Sequence, residues 1–338
     1  MSDATVPGMA TSPQGVGGYT EDQLLERILP LMAGGRDDVL GPGDDAAVLR
    51  LDGPPVVTTD ALVLGRDWRD DWSTPAQVAA KAVTQNLADI AAMGAVPKSL
   101  LCTLLLDPET PVEWVERFAA ALGVQSRRYA VSVAGGDLSS APAGLRAVAI
   151  TAFGELEGRD PVTRAGARPG DRIAVTGSLG RSAVGLALLL AASSSGQGVD
   201  DLPVEALAHH LTPTAPLSQG PVAALAGAGA MIDLSDGLSR DADRVARASG
   251  VRLVLEADAL AADLNWAENF IARGVARQCV LGGGEEHSLL ACFPGEVPPF
   301  WRVLGRVEQA GTGEPGVWLD GRPLPVTGWD HFARPPAP

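Results

Sequence analysis

Apolar positions recur along this chain with two periods, three to four residues in some stretches and two in others, and each change of period marks the passage from helix to strand. Thr20-Glu21-Asp22-Gln23 has the form of a capping box, and Leu24, Leu25, Ile28, Leu29 and Met32 behind it predict a first helix. Turn chemistry at Gly41-Pro42-Gly43-Asp44-Asp45 precedes short strands expected at 46–49 and 56–59, joined by Asp52-Gly53-Pro54-Pro55, with Asp60 at a strand end. Thr74-Pro75-Ala76-Gln77 opens a second helix that runs to Met93, where Gly94 stops it. Val83, Leu87, Ile90 and Ala91 mark its buried side, while Lys81, Gln85 and Asp89, spaced four apart, form a separate polar stripe with Asn86 close to Asp89. A strand over 99–106, a helix over 111–129, a strand over 130–134 ending in Gly135-Gly136-Asp137 and a long strand over 145–156 complete an α/β half.

Residues 158–170, with Arg159, Pro161, Arg164, Gly166 and Pro169, read as the crossing to a second half. There a strand over 172–176 turns at Gly177-Ser178-Leu179-Gly180 into a helix over 181–192, followed by a flexible loop over 193–201 and helices near 204–211 and 220–228. Met231-Ile232-Asp233-Leu234-Ser235-Asp236-Gly237 is a strand-to-helix turn that leads to a helix through Ala248, a strand over 251–256 and later strands near 288–293, 303–307 and 317–319. The expected architecture is α/β, with layers of the α+β type: a loose tail at 1–19, an N-terminal domain at 20–157 and a C-terminal domain at 158–338.

Composition narrows what such a fold can do. With 26 Lys+Arg against 41 Asp+Glu the net charge is −15, which argues against nucleic acid and anionic membranes as partners. Lysine occurs only at Lys81 and Lys98, and neither sits in a P-loop setting. Cys102, Cys279 and Cys292 have no metal or disulfide spacing, and no apolar stretch is long enough to span a bilayer, so a cytoplasmic protein is expected. Four histidines offer no Ser/His/Asp or Cys/His constellation.

What recurs instead is aspartate at element ends among small residues: Asp44, Asp45, Asp60, Asp89, Asp137, Asp233 and Asp236. Carboxylates are the hard oxygen donors that Mg²⁺ prefers, and in so acidic a chain metal ions are the natural bridge to phosphates. Each has a plainer reading beside it: an Asp after Gly-Gly tolerates turn geometry, and Asp233 or Asp236 could cap a helix. Asp89 stands apart, since an aspartate inside a helix is a poor helix former and gains nothing as a cap. Gly177-Ser-Leu-Gly180 reads as close packing of helix on strand before phosphate binding, His287 as a hydrogen-bonded strand residue, and Trp68, Trp266 and Trp301 as core or subunit-contact residues.

Taken in order, these motifs resemble the thiamine-monophosphate kinase family, within the superfamily of aminoimidazole ribonucleotide synthetase and selenophosphate synthetase. The resemblance rests on Gly43-Asp44-Asp45-Ala46-Ala47, Thr58-Thr59-Asp60, Lys81-Ala82, Asn86 to Ala95 and Gly135-Gly136-Asp137 in the first half. In the second half it rests on Arg164 to Asp171, Ile232-Asp233-Leu234-Ser235-Asp236-Gly237-Leu238, Gly283-Gly284-Glu285 and Gly328-Trp329-Asp330-His331-Phe332. It implies ATP-dependent phosphorylation of thiamine monophosphate to thiamine diphosphate in a site with several Mg²⁺ ions, and a homodimer paired through the N-terminal domain with the site in the cleft between domains. Carried over by position, Asp45, Thr58, Thr59, Asp60, Asp89, Asp137 and Asp233 would hold Mg²⁺, with Asp236 on a further ion. Gly136, Asp137, Arg164 and Ser235 would contact ATP, and Asp67, Glu285 and Trp329 the thiamine substrate; Asp60, Asp89, Asp137 and Arg164 would assist transfer.

Departures fall on the substrate side. Where the family often has Gly-Glu-Asp-Tyr-Glu-Leu this chain has Gly284-Glu285-Glu286-His287-Ser288-Leu289, and a His-Phe pair is replaced by Asp67-Trp68. A phosphate-monoester acceptor is largely a dianion at neutral pH, with a second pKa of about 6, so no general base is expected. Two other readings stand beside this one: another ATP-dependent enzyme of the superfamily, selenophosphate synthetase-like, for which the N-terminal tail offers no Cys or Lys, and a non-catalytic nucleotide-binding scaffold dimer.

Overall fold

The computed structural model describes residues 15–33, 40–42, 45–311 and 313–329. The first half comprises α1 (Glu21–Met32), β1 (Pro55–Val63), α2 (Pro75–Ala92), β2 (Val96–Leu106), α3 (Val112–Tyr129), β3 (Ser132–Ser140) and β4 (Arg146–Glu155). Thr20 and Thr74 both close the capping boxes the sequence predicts, each accepting from the backbone N–H three residues on. The strands form a sheet in the order β1-β4-β2-β3, with α2 and α3 on one face. Val78, Val83, Leu87 and Ile90 of α2 and Val115, Phe118 and Leu122 of α3 fill that side with fully buried side chains.

The second half comprises β5 (Arg172–Thr176), α4 (Arg181–Ser195), α5 (Val204–Leu211), α6 (Gln219–Leu225), β6 (Ala230–Asp233), α7 (Leu238–Ser249) and β7 (Val251–Leu255). It continues with α8 (Ala261–Glu268), α9 (Arg273–Gly282), β8 (Leu289–Phe293), β9 (Arg302–Gln309), β10 (Gly316–Leu319) and β11 (Arg322–Pro323). These strands form a mixed sheet in the order β11-β10-β7-β9-β5-β8-β6. The two sheets establish the two-part α/β architecture, and residues 156–171 pass between them.

Several expectations are corrected by packing. The tail ends earlier than residue 19, because Val16 and Gly17 donate backbone hydrogen bonds to the carbonyls of Thr110 and Pro108 and Val16 is buried; residues 1–14 lie outside the described residues. The stretch 46–49 is not a strand but holds a single bridge, Val48 to Leu40. β3 runs through Gly135-Gly136-Asp137 rather than ending there, since β2 supplies hydrogen-bonding partners as far as Ser140. The loop expected at 193–201 begins with the last turn of α4 and ends in a short 3-10 helix. α8 and α9 are helices to which no sequence expectation corresponds; α8 carries a weak apolar stripe, and the two pack on each other, with α9 also meeting α4 and α7.

The halves share one apolar cluster. Met231, Leu289, Ala291, Phe293 and Trp301 of the second half join the core built around α2, and α2 also meets α6. The approach is close at Gly220, where a Cβ would stand 2.0 Å from the carbonyl oxygen of Ala91. Gly220→Ala is expected to lower stability by about 1–3 kcal/mol through overpacking, read as a lower urea midpoint, and an unchanged midpoint would show that the seam is not tight there.

Candidate active site

α2 lies in the seam, and its polar stripe faces groups from both halves. Thr58 on β1 donates a 2.7 Å hydrogen bond from Oγ1 to Asp89 Oδ2, and the Asp60 backbone N–H donates to Asn86 Oδ1 at 2.9 Å. Alternation along β1 puts Thr58 and Asp60 on the face toward α2. Thr59 points the other way, donating to the Ile150 carbonyl at 3.0 Å.

Across the seam, Asp233 ends β6 and is buried. Its carboxylate lies 3.3 Å from Nδ1 of His287. The loop 234–237 is stitched to 284–287 and to 327–329: Glu285 N–H donates to the Ser235 carbonyl, His287 N–H to the Leu234 carbonyl and Trp329 N–H to the Asp236 carbonyl. Three motifs far apart in sequence therefore share one corner beside α2.

Electrostatics tie the two sides together. Burial first, then the charges of Asp233 and Asp60, push the Asp89 carboxyl up to about 7. Burial also opposes charge on His287, but its contact with Asp233 and that carboxylate's charge outweigh it and raise its pKa. Asp241, fully buried on α7, is likewise pushed up to about 7 by burial and by Asp233; it accepts from the backbone N–H groups of Asp236 and Gly237. Asp236 itself is ion-paired with Arg244.

Lys81 makes the second link; sequence reasoning placed it on a polar stripe and in the Lys81-Ala82 motif but gave it no role in the site. Its ammonium is almost wholly buried and lies 3.0 and 3.1 Å from the two oxygens of Glu285, while also donating to the Asp67 carbonyl at 3.2 Å. His210 Nδ1 stands 3.2 Å from Glu285 Oε2 and 3.0 Å from Ser182 Oγ. Burial would raise the Glu285 carboxyl, but the Lys81 ammonium and the His210 hydrogen bond hold it well below the usual carboxylate range. Burial, then Lys81, lowers the His210 pKa. Glu286 is buried on the other side of the loop, accepting from Ser182 N–H and Ser178 Oγ. The signal for Lys81 was its rarity and its helix face; Glu286 and His287 stood out only as departures from a motif.

Some expected site residues are not brought to this corner. Asp137 sits exposed on β3, the far edge of the first sheet from β1, about 14 Å away at about 4.8 Å per strand. A Cβ at Gly136 would stand on the Cys102 carbonyl, so that glycine has a packing reason of its own. Arg164 is exposed, and its carbonyl accepts from Ser249, the last residue of α7, roughly 18 Å along the helix from Asp236. Asp45 is exposed in the loop before β1, and Gly43 and Asp44 lie outside the described residues. Asp67 is half-buried, accepting from Val63 N–H, and Trp329 is 45 % exposed, which sets aside a core role. His287 is not a strand residue; it lies in the loop before β8 with φ at 51°. Trp68 and Trp301 are core residues, and Gly180 packs against Cys279 and Val280 as the close-packing reading expected.

Thr58, Asp60, Asp89 and Asp233 present oxygen donors only, and the upward push on Asp89 marks a surplus of negative charge that a hard cation relieves. Among the described residues no three His, Cys, Asp or Glu side chains already stand close enough to hold an ion alone.

Lys81→Met is expected to cost about 2–3 kcal/mol, less than the roughly 3–5 kcal/mol of a wholly buried pair, because the Glu285 side chain is 32 % exposed. An unchanged urea midpoint would overturn that account. The pH dependence has a definite sign. With its folded pKa below the ordinary 6.5, His210 contributes stability that is present above 6.5 and lost as pH falls below it. Wild type should therefore lose stability relative to His210→Gln between pH 7 and pH 5; the oppositely signed contributions of Asp89 and Asp241 cancel in that difference. A pH-independent difference in urea midpoints would rule this out.

The AIR synthase related protein N-terminal domain family matches residues 43–156. The thiamine-monophosphate kinase of Mycobacterium tuberculosis is 43 % identical over 302 residues, covering 88 % of this chain and 87 % of that protein. The Salmonella typhimurium enzyme of the same name is 33 % identical, covering 93 % and 99 %. A solved structure described as AaThiL complexed with AMPPCP and TMP superposes with a TM-score of 0.72 at 30 % identity, covering 97 % of this chain and all of that one. The hydrogenase maturation protein HypE in complex with ATP superposes equally well at 20 % identity, a likeness of fold alone. With identity of this extent along nearly the whole chain, and the motifs of both halves meeting at one seam, the chain belongs to the thiamine-monophosphate kinase family.

Proposed function

We propose that this chain transfers the γ-phosphoryl group of ATP directly to thiamine monophosphate, giving thiamine diphosphate and ADP, at the seam where Asp60 and Asp89 face Asp233. That convergence carries the reading, and the relative complexed with AMPPCP and TMP supports the choice of both substrates. An oxygen of the acceptor phosphate forms the new bond to γ-phosphorus as the bond to the β,γ-bridging oxygen breaks, and the electron pair leaves with ADP. The acceptor needs no base, having a second pKa of about 6. Thr58, Asp60, Asp89 and Asp233 would hold Mg²⁺, which when bound supplies charge neutralisation and alignment for two anionic reactants. Asp60 and Asp89 would offer carboxylate oxygens to that ion from one half and Asp233 from the other. Ser235 sits beside them with its carbonyl engaged by Glu285, and no phosphoserine is needed.

The protein is inferred to act as a homodimer in the cytoplasm, without nucleic acid or membrane. The face of the first sheet away from α2 and α3 is left with Val57, Leu101, Leu105 and Phe153 half-buried or exposed, and both edge strands, β1 and β3, end the sheet there. A second copy covering that face supplies a β3 edge to a β1 edge, which would bring Asp137 of one copy toward Asp60 of the other. Three unpaired, buried cysteines suit a reducing compartment, and no helix among the described residues is long and apolar enough to cross a membrane.

Phosphorus NMR of ATP, Mg²⁺ and thiamine monophosphate with the protein should show thiamine diphosphate and ADP; absence of that product while a different acceptor is phosphorylated would replace the substrate assignment. Asp89→Asn and Asp60→Asn should remove most turnover and leave a folded dimer, and near wild-type kcat at saturating Mg²⁺ would end the metal assignment. Ping-pong kinetics, or label from [γ-³²P]ATP left on Ser235, would end direct transfer.

The Trp329 ring, exposed at the corner beside Asp236, is assigned to cover the cationic thiazolium of the substrate, a contact contributing about 1–2 kcal/mol when dry. Trp329→Ala should raise KM for thiamine monophosphate roughly tenfold, equivalent to about 1.4 kcal/mol, and leave KM for ATP and the melting temperature nearly unchanged. An unchanged KM for the thiamine substrate would end the stacking assignment.

A further inference from the structure

We infer that His287 is a positioning residue: its Nδ1–H holds the Asp233 carboxylate in the orientation that faces Asp89, an inference that rests on the reading of Asp233 as a metal-holding group. A carboxylate only accepts hydrogen bonds, so the 3.3 Å contact places a proton on Nδ1 and gives the bond its direction. Both partners are almost completely buried, with 4 % of each side chain exposed, so water does not replace the bond if the ring is lost.

The residue accepts two local penalties to sit there. Its φ of 51° is in the left-handed region, which is unfavourable for a non-glycine residue, and Nε2 is buried with no hydrogen-bond partner among the described residues. A conformation held against both is fixed from outside. The backbone N–H of His287 donates to the Leu234 carbonyl and the Leu234 N–H to the Ser288 carbonyl, so the loop carrying the ring is locked to the segment carrying Asp233. The backbone that carries the ring is therefore fixed relative to the segment that carries Asp233. The charges of Asp233, Glu285 and Asp89 all act on the ring.

Groups that orient a metal ligand by hydrogen bonding typically change metal affinity by roughly 10–100-fold when removed. The test uses the full chain and Mn²⁺ as spin probe, with free Mn²⁺ read by EPR and folding read by circular dichroism. Asp233→Asn first identifies the binding that depends on Asp233. Asn at 287 puts an amide N–H where Nδ1 stands, Gln puts it where Nε2 stands, and Phe keeps a ring without a donor. His287→Phe and His287→Gln are expected to weaken that binding at least tenfold, and His287→Asn to stay within about threefold of wild type. Wild-type binding by His287→Phe would overturn the inference, as would His287→Asn binding no better than His287→Gln; that second comparison decides the matter if the Phe variant fails to fold. If Asp233→Asn itself binds Mn²⁺ normally, the metal reading of Asp233 falls and takes this inference with it, an outcome distinct from failure at His287 alone.

Discussion

A helix that brings an ammonium and a carboxylate into the seam between two sheets creates an obligation at each end, because neither charge can be buried without an answering group. Lys81 and Asp89 are two turns apart on α2, and the second half of the chain answers both. Glu285 meets the ammonium in an ion pair, whereas Asp233 meets the carboxylate with a like charge. One contact closes the seam and the other holds it under electrostatic stress. The corner is thus built from an attraction that fixes the geometry beside a repulsion between like charges.

The same helix sets the spacing between the two contacts. Asp89 faces the strand residues Thr58 and Asp60, while Lys81, two turns earlier, touches the Asp67 carbonyl and Glu285. The distance between them is set by helical rise, about 12 Å over eight residues, and cannot drift independently of the fold. The loop 284–288 is fastened by backbone hydrogen bonds from Glu285 and His287 to the 234–235 segment and by side chains as well, with Glu286 accepting from Ser182 N–H and Ser178 Oγ and Ser288 Oγ donating to the Ser178 carbonyl.

Local rules made much of the fold legible. Capping boxes at Thr20 and Thr74 announced α1 and α2, and β5 and α5 occupy the residues that periodicity assigned. What escaped was set by partners distant in sequence. Gly135-Gly136-Asp137 reads as a turn by composition, yet β2 keeps it extended, and α8 and α9 are stabilised by packing on each other and α4 more than by their own pattern. At the site, Asp89 was legible because an aspartate inside a helix has no local purpose. Lys81 was visible as a residue but not as a bridge, since its partner lies 204 positions later. Arg164 and Asp137 were legible as motif members, but not as residues set away from the cluster within one copy.

The strand order of the second sheet has a consequence for how the chain comes into being. β5 lies between β8 and β9, so the first strand of that sheet has no hydrogen-bonded neighbours until residues 289–309 have been made, whereas every strand of the first sheet is complete by Glu155. At about 5–20 residues per second, synthesis leaves the first half waiting roughly 10–30 seconds with the apolar side of the seam uncovered. Nascent chains therefore pass through an obligatory interval in which the helix that later organises the site is a sticky surface, and the vulnerability of this protein to aggregation is concentrated in its translation rather than in its folded life.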